Sequence, residues 1–146
     1  MAIPSGSTIV NARPLNTTAE LAALITRRGK ERPEKSLARV FQAIRIAVNQ
    51  ELDELKTTLN RVLDRLNTGG RIVVIAYHSL EDRIVKQWMK HESRDCICPP
   101  GLPVCTCGHI ARLRLVTKGV ICASSTEIAA NPRSRSAKMR VAERIA

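Results

Sequence analysis

Residues 69–86 constrain the fold of this chain more than any other stretch. They read GGRIVVIAYHSLEDRIVK, which is a glycine pair, an apolar run and an amphipathic segment in succession. Glycine adopts backbone angles that other residues avoid, so Gly69 and Gly70 predict a turn. Residues 72–76 are apolar and rich in β-branched side chains, which favours a short strand buried on both faces of a parallel sheet.

A polar pair, His78 and Ser79, follows this predicted strand directly. Ser79, with Asp82 three residues later, has the pattern of a helix N-cap, so a helix is predicted to begin there. Ligands of open α/β sheets bind beyond the carboxyl ends of the strands, which is where the pair would lie. Two interpretations stay open: a ligand site, or a capping serine beside a solvated histidine.

The remaining pattern predicts further elements around this stretch. A helical spacing of apolar residues runs over 36–66, which is either one long helix with a projecting end, a helix broken near Asn49, or a coiled coil. Residues 113–117 read as a strand, and residues 137–144 read as a half-buried strand because apolar and basic side chains alternate. Ser124 predicts the N-cap of a short helix between them. The predicted order is helix, helix, strand, helix, strand, helix, strand.

Residues 69–86 also resemble the signature of the RsmH family of ribosomal RNA small-subunit methyltransferases, also called MraW. Two further runs agree in the same order. Residues 39–52, RVFQAIRIAVNQEL, resemble the family's long helix, and residues 131–144, NPRSRSAKMRVAER, resemble its C-terminal end. The resemblance covers most of residues 9–146 and about the second half of the family's chain. One departure is Lys35-Ser-Leu-Ala-Arg39, where the family usually reads His-Pro-Ala-Thr-Arg.

The resemblance implies an α/β fold. The chain would be the C-terminal part of a class I (Rossmann-like) S-adenosylmethionine-dependent methyltransferase sheet, plus part of a helical insertion domain. Residues 1–35 would be a remnant of that insertion with an irregular N-terminus. Residues 36–146 would hold the long helix and the last three strands, with residues 92–111 as a cysteine-rich loop.

The family transfers a methyl group from S-adenosylmethionine to the exocyclic N4 of a cytidine in 16S ribosomal RNA. Cofactor pockets of this class use a glycine-rich turn after the first strand. The seven glycines of this chain include no Gly-x-Gly, and no strand and glycine turn precede Gly69. We therefore expect no cofactor-binding residue here and no activity of the chain alone. The N-terminal half would exist as a separate chain, or the start of this one is misplaced.

The charge of the chain favours a polyanionic partner. Twenty-four Lys and Arg residues against 13 acidic ones give a formal net charge of +11. Such an excess suits nucleic acid ahead of a membrane surface, although a solvated basic face is the alternative. With the family's loops at the ligand edge, the expected contacts are to phosphates of 16S ribosomal RNA or the small ribosomal subunit. The residues expected to make them are Arg83, Lys86, Arg133, Arg135 and Lys138. His78, as a proton acceptor, and Ser79 are the catalytic candidates on the substrate side.

Four cysteines form a second motif. Cys96-x-Cys98 and Cys105-x-Cys107 flank a proline-rich turn, and His109 follows as an alternative ligand. Closely spaced thiols suit tetrahedral zinc, although the spacing is not the Cys-x2-Cys of common zinc ribbons. If zinc binds, the site is expected to be structural; reduced or redox-labile cysteines are the alternative. Cys122 stands apart and is expected to pack in the interior.

Other protein classes fit this sequence less well. No apolar run approaches the roughly 20 residues of a membrane span, and no signal peptide opens the chain. We therefore expect a cytoplasmic protein without a membrane partner, in an undetermined oligomeric state. The second functional hypothesis is a non-enzymatic basic RNA-binding module with a small structural zinc knuckle. The third is a fragment that folds poorly alone, because an exposed sheet edge promotes aggregation.

Overall fold

The computed structural model describes residues 6–26, 33–102 and 104–146, which belong to two compact units, Met1–Glu51 and Leu52–Ala146. The first unit contains helices α1 (Gly6–Asn11), α2 (Thr18–Thr26) and α3 (Pro33–Asn49). This division differs from the boundary expected after residue 35, because α3 packs on α2. Leu21, Ile25 and Val40 are buried between these two helices.

Helix α4 (Glu51–Arg65) follows α3 after a single residue. That residue, Gln50, has φ of 52°, so it leaves the right-handed helical region and ends α3. The helical pattern predicted over 36–66 is thus confirmed, and of the alternatives left open the structure shows the break near Asn49. Across the described ranges, none of the helices is both long and apolar enough to span a membrane.

The second unit is a small mixed α/β structure around one antiparallel sheet. Its elements are β1 (Arg71–Ala76), α5 (Ser79–Glu92), β2 (Leu113–Leu115), β3 (Ile121–Cys122), α6 (Ser125–Ala130), a 3₁₀ turn (Pro132–Ser136) and β4 (Lys138–Arg144). Strand β4 is central: β1 pairs with it along its whole length, while β2 and β3 pair with successive parts of it. All three pairings are antiparallel, so β1 and β2 run in the same direction.

Strand β1 is not the doubly buried parallel strand expected from its composition. It pairs antiparallel with β4, and its side chains alternate between a covered and an open face. Ile72 and Ala76 are buried, whereas Val73 and Ile75 are 55% and 53% exposed. The physical reason is that α4 and α5 both pack on the Ile72 face. An apolar run alone cannot report whether one or two layers cover it.

The core of the second unit lies between these helices and the sheet. Its buried members come from five elements and comprise Leu59, Leu63, Ile72, Val85, Met89, Leu113 and Ala142. Trp88 on α5 packs against this cluster, and its indole N–H donates a 2.8 Å hydrogen bond to Oδ1 of Asn60 on α4. Helix α5 is therefore fixed by both apolar contact and a directed polar contact.

The turn before β1 requires both glycines. Gly69 has φ of 81°, a left-handed angle that favours glycine. A Cβ added at Gly70 would lie 2.8 Å from the carbonyl oxygen of Asn67, so no larger residue fits. The predicted glycine turn is confirmed. Arg144 holds it in place, because its carbonyl accepts from the Gly69 N–H and its N–H donates to the Gly70 carbonyl, each at 2.8 Å.

Helix α5 is capped by His78, not by Ser79 as predicted. Nδ1 of His78 accepts a hydrogen bond from the backbone N–H of Glu81, and the Glu81 carboxylate accepts from the His78 N–H. This reciprocal arrangement is a capping box shifted by one residue, and it makes Ser79 the first helical residue. The predicted cap of α6 is confirmed, because Ser124 Oγ accepts from the Glu127 N–H at 3.2 Å.

Candidate functional site

The register of the sheet brings two predicted loops to one edge. Ala76, the last residue of β1, lies opposite Lys138, the first residue of β4. The segment after β1, which carries His78 and Ser79, is therefore at the same end of the sheet as the 3₁₀ turn that carries Arg133 and Arg135. We refer to residues 77–79 and 131–138 together as the β1–β4 edge.

The imidazole of His78 is held inside the capping box. Its Nδ1 accepts from the Glu81 N–H at 3.4 Å, which places the ring proton on Nε2. Nε2 is buried and lies 2.9 Å from Oε1 of Glu81, without the alignment of a hydrogen bond. Both ring nitrogens thus face Glu81, whereas the next residue, Ser79, is exposed to solvent.

A partly buried ion pair joins α5 to β4 near this edge. Arg140 donates to both carboxylate oxygens of Asp82, at 2.7 and 3.2 Å, and both side chains are mostly buried. The hydrogen bond from Arg140 lowers the pKa of Asp82 from its ordinary value, against the opposing effect of burial. The Lys138 ammonium is 3.8 Å from the same carboxylate, so part of its charge is already compensated.

Four of the five predicted RNA contacts are exposed cations. Arg83 and Lys86 lie on α5, and Arg133 and Arg135 lie in the 3₁₀ turn. None of these four forms an ion pair within residues 6–26, 33–102 and 104–146. Their charge is therefore available to a partner, whereas Lys138 shares Asp82 with Arg140.

A basic concavity lined by residues of α5, β2 and β4 was not predicted from the sequence. It has a volume of about 220 Å³, and its lining includes the ammonium-bearing residues Lys86, Lys90 and Lys118. Met89 and Leu115 are the apolar residues of its lining. The spacing of Lys86 and Lys90 places both on one face of α5, which was a usable signal. The sequence could not show that Lys118 lies beside them, because Lys118 belongs to the connection between β2 and β3.

Several other basic residues are committed to internal contacts. Arg112 donates to Glu92 at 2.8 Å, and Arg71 and Arg114 both pair with Glu143. Burial raises the pKa of Glu92, but hydrogen bonds from Arg112 and His91 outweigh it and the net direction is downward. The hydrogen bond from Arg71 is the largest influence on the pKa of Glu143, which is lowered. These arginines stabilise the fold, so the net charge overstates what is free for RNA.

The four cysteines of the 92–111 loop converge. The sulfur of Cys105 lies 3.4 Å from that of Cys96, 3.5 Å from that of Cys107 and 3.9 Å from that of Cys98. The Ile97 and His109 backbone N–H groups lower the pKa of Cys107 to about 6. A backbone hydrogen bond from Cys98 lowers the pKa of Cys96, but thiol contacts with Cys105 and Cys98 prevail and raise it to about 12. The sulfurs therefore share protons unequally.

His109, the predicted alternative ligand, and Cys122 both lie outside the cluster of four thiols. His109 groups with His91 and Glu92, and its Nε2 donates to the His91 carbonyl at 3.1 Å. The two rings meet edge to face, with centroids 4.7 Å apart. Cys122 is exposed on β3, so the expectation that it packs in the interior was wrong.

The turn after β1 differs from the glycine-rich turn that binds a nucleoside cofactor in class I methyltransferases. Strand β1 is followed by Tyr77 and His78, with no glycine, and the helix N-terminus there is occupied by the Glu81 capping box. A nucleoside cofactor needs backbone N–H groups that a glycine turn leaves accessible. We therefore assign no step of chemistry to the cofactor within this part of the chain.

Comparisons with known proteins agree with the three sequence runs. A model described as the MraW methylase family matches residues 6–145. "Ribosomal RNA small subunit methyltransferase H" of Thermomicrobium roseum is 55% identical over 136 residues, which cover 92% of this chain and 42% of that protein. Proteins of the same name from Dehalococcoides mccartyi and Lawsonia intracellularis are 53% and 50% identical, covering 94% and 91% of this chain.

This chain matches only part of each relative. The matches cover 40% of the Dehalococcoides protein and 44% of the Lawsonia protein, so the chain spans about two fifths of the curated relatives it matches. The family model nevertheless covers nearly all of residues 1–146. The predicted resemblance is confirmed, and this chain belongs to the MraW methylase family.

Proposed function

We propose that this chain supplies the RNA-facing part of a methyltransferase that modifies the exocyclic N4 of a cytidine in 16S ribosomal RNA. In this proposal S-adenosylmethionine donates the methyl group and binds outside the described residues. The chain corresponds to the C-terminal part of a class I methyltransferase sheet with part of a helical insertion. The protein acts in the cytoplasm on the small ribosomal subunit or its RNA.

The observation that carries this proposal is the composition of the β1–β4 edge. Two loops distant in sequence lie at the same end of the sheet: one holds the exposed Ser79, and the other holds the exposed Arg133 and Arg135, which form no ion pair within the described ranges. Arg83 and Lys86 extend the positive charge along α5. Phosphate contacts of this kind fix the register of an RNA, while base contacts give specificity. The printed names of the relatives, ribosomal RNA methyltransferases, supply the substrate class.

The chemistry of an exocyclic amine defines what these residues must do. Its lone pair is conjugated into the ring, so it is a weak nucleophile that needs alignment and a hydrogen-bond acceptor. In our proposal His78 is a positioning residue, because its two nitrogens are turned toward Glu81 and fix the start of α5. In the same proposal the exposed hydroxyl of Ser79 contacts the base or the sugar of the target cytidine.

A chimaeric enzyme tests this function. The homologous segment of the Thermomicrobium relative is replaced by residues 6–145, and nucleosides of methylated small-subunit RNA are analysed after reaction. We expect N4-methylcytidine, and at least about a tenfold lower kcat/KM in the Arg133→Gln/Arg135→Gln variant through lost phosphate contacts. The control, Arg71→Gln, removes a charge at the other end of β1. A folded, cofactor-binding chimaera that forms no N4-methylcytidine would contradict the proposal.

A non-enzymatic RNA-binding module is the second candidate. It is favoured by the capping box that occupies the turn after β1, together with the exposed charge of Arg133 and Arg135. The same chimaera separates the two hypotheses. A binding module would retain RNA affinity in the chimaera and yield no methylated nucleoside, whereas the methyltransferase segment restores methyl transfer.

A further inference from the structure

The loop between α5 and β2 carries a cluster of four thiols that the proposed RNA methylation does not use. Cys96 and Cys98 form one arm, and Cys105 and Cys107 form the other. Their sulfur atoms all lie within 4.8 Å of one another. Left-handed backbone angles at Gly101 and Gly108, with φ of 96° and 60°, turn the loop so that the arms face each other.

The spacing of the sulfurs matches a tetrahedral metal site. A zinc–sulfur bond of about 2.3 Å gives a tetrahedron whose sulfur–sulfur edges are about 3.8 Å. The shorter of the observed edges are 3.4 and 3.5 Å, and Cys98–Cys105 and Cys96–Cys107 are both 3.9 Å. Disulfide sulfurs would be about 2.05 Å apart, so none of these pairs is bonded.

Hydrophobic packing does not account for this convergence. Cys96 and Cys105 are exposed, and the apolar residues around them are exposed as well: Ile97 is 41%, Leu102 52% and Val104 70% accessible. Free cysteines usually behave as small buried hydrophobes, which these do not. A loop tip without an apolar core needs a cross-link or a metal to hold one conformation.

The base of the loop is anchored independently of the sulfurs. The Arg112 N–H donates to the Glu92 carbonyl at 2.9 Å, and the Ala111 N–H donates to Asp95 at 3.3 Å. At the tip, the Ile97 N–H points at the sulfur of Cys107 at 3.4 Å, which is a donor suited to a thiolate. The base would thus keep its fold without metal, while the tip would not.

We propose that Cys96, Cys98, Cys105 and Cys107 bind one Zn²⁺ ion in a structural site. Four protein thiolates fill a tetrahedral shell, so no position is left for water or substrate. Soft thiolate ligands select zinc over the hard cations magnesium and calcium. The loop leaves the C-terminal end of α5, whereas His78 caps its N-terminal end, so the metal lies away from the β1–β4 edge.

Metal analysis of the purified chain tests this site. The chain is prepared with a non-chelating phosphine reductant, and its zinc content is measured by mass spectrometry before and after dialysis against a chelator. Before dialysis we expect one zinc per chain. When cobalt(II) replaces the zinc, we expect thiolate charge-transfer bands and the d–d bands of a tetrahedral site. A folded chain that retains no zinc and gives no such bands with cobalt would overturn the proposal.

Two serine variants provide the matched comparison. Cys105→Ser removes the sulfur that contacts the other three, and Cys122→Ser removes an exposed thiol outside the loop. We expect zinc affinity to fall at least about tenfold in Cys105→Ser and to be unchanged in Cys122→Ser. Circular dichroism confirms that each variant is folded, because the loop tip lies outside the core. Equal zinc affinity in both variants would overturn the assignment.

Discussion

Individual residues of this chain divide into those that hold the fold and those that remain free for a partner. Arg140 and Arg133 carry the same charge, yet Arg140 is buried against Asp82 while Arg133 is exposed and unpaired within the described ranges. The difference arises because the β4 register places Arg140 beside α5. A net charge of +11 therefore overestimates the charge that an RNA would meet.

The Asp82–Arg140 pair gives the first prediction. Asp82→Asn should lower the free energy of unfolding by about 2 kcal/mol at neutral pH, since a mostly buried arginine loses its anionic partner. Asp53→Asn, in an exposed pair with Lys56, should cost less than about 0.5 kcal/mol. Chemical denaturation measures both. An equal loss of unfolding free energy in the two variants would show that the Asp82–Arg140 pair stabilises the fold no more than an exposed pair does.

The same pair predicts a pH dependence. The pKa of Asp82 is lowered in the folded chain, so its contribution is complete above the ordinary value of 3.8 and is lost as pH falls through the folded-state pKa. The stability difference between the wild-type chain and Asp82→Asn should therefore shrink in acid. Denaturation series below pH 4 measure this gap. A gap that stays constant down to the lowest pH would contradict the assignment.

At the scale of elements, short connections determine where helices end and how loops are held. Sequence patterns predicted the helical stretch 36–66, the capped helix α6 and the strands β1, β2 and β4, but not the two-residue strand β3. They misplaced the cap of α5, because His78–Glu81 and Ser79–Asp82 are overlapping windows and serine is the commoner capping residue. They also misjudged β1, since one apolar run fits either a strand covered on one face or a strand covered on both.

Gln50 provides an element-scale prediction. Its φ of 52° costs a residue with a side chain about 1 kcal/mol or more, whereas glycine adopts it freely. Gln50→Gly should therefore raise the free energy of unfolding by up to about 1 kcal/mol. Gln87→Gly, inside α5 on its exposed side, should lower it by about 1 kcal/mol. Thermal unfolding of both variants measures this, and destabilisation by both would contradict the backbone assignment.

Glu92 provides a second element-scale prediction. Its buried carboxylate joins the end of α5 to Arg112 and His91, so Glu92→Gln should lower the free energy of unfolding by about 2 kcal/mol. Amide hydrogen exchange should also be faster at Arg112, whose backbone N–H donates a hydrogen bond to the backbone carbonyl of Glu92. Glu54→Gln, exposed on α4, is the control. Unchanged exchange in Glu92→Gln would show that the loop is anchored by other contacts.

At the scale of the whole molecule, three sequence runs were enough to predict the family, and the family model confirms it. The cysteine cluster and the exposed cations were also named from sequence. The sequence could not show which arginines are free. Their partners Asp82, Glu92 and Glu143 lie 20 to 72 positions away from the arginines they bind. Contacts of that range depend on strand register, which no local pattern encodes.

Salt-dependent RNA binding tests the central claim, that the β1–β4 edge contacts RNA phosphates. The affinity of the chain for small-subunit RNA is measured at several salt concentrations, for Arg133→Gln/Arg135→Gln and for Arg71→Gln/Arg114→Gln. Both variants lose two charges, but the second pair is bound to Glu143. The edge variant should reduce the slope of log K against log salt by about 1.5 to 2 and the control should leave it unchanged. Equal reductions in both, or none in the edge variant, would contradict the account.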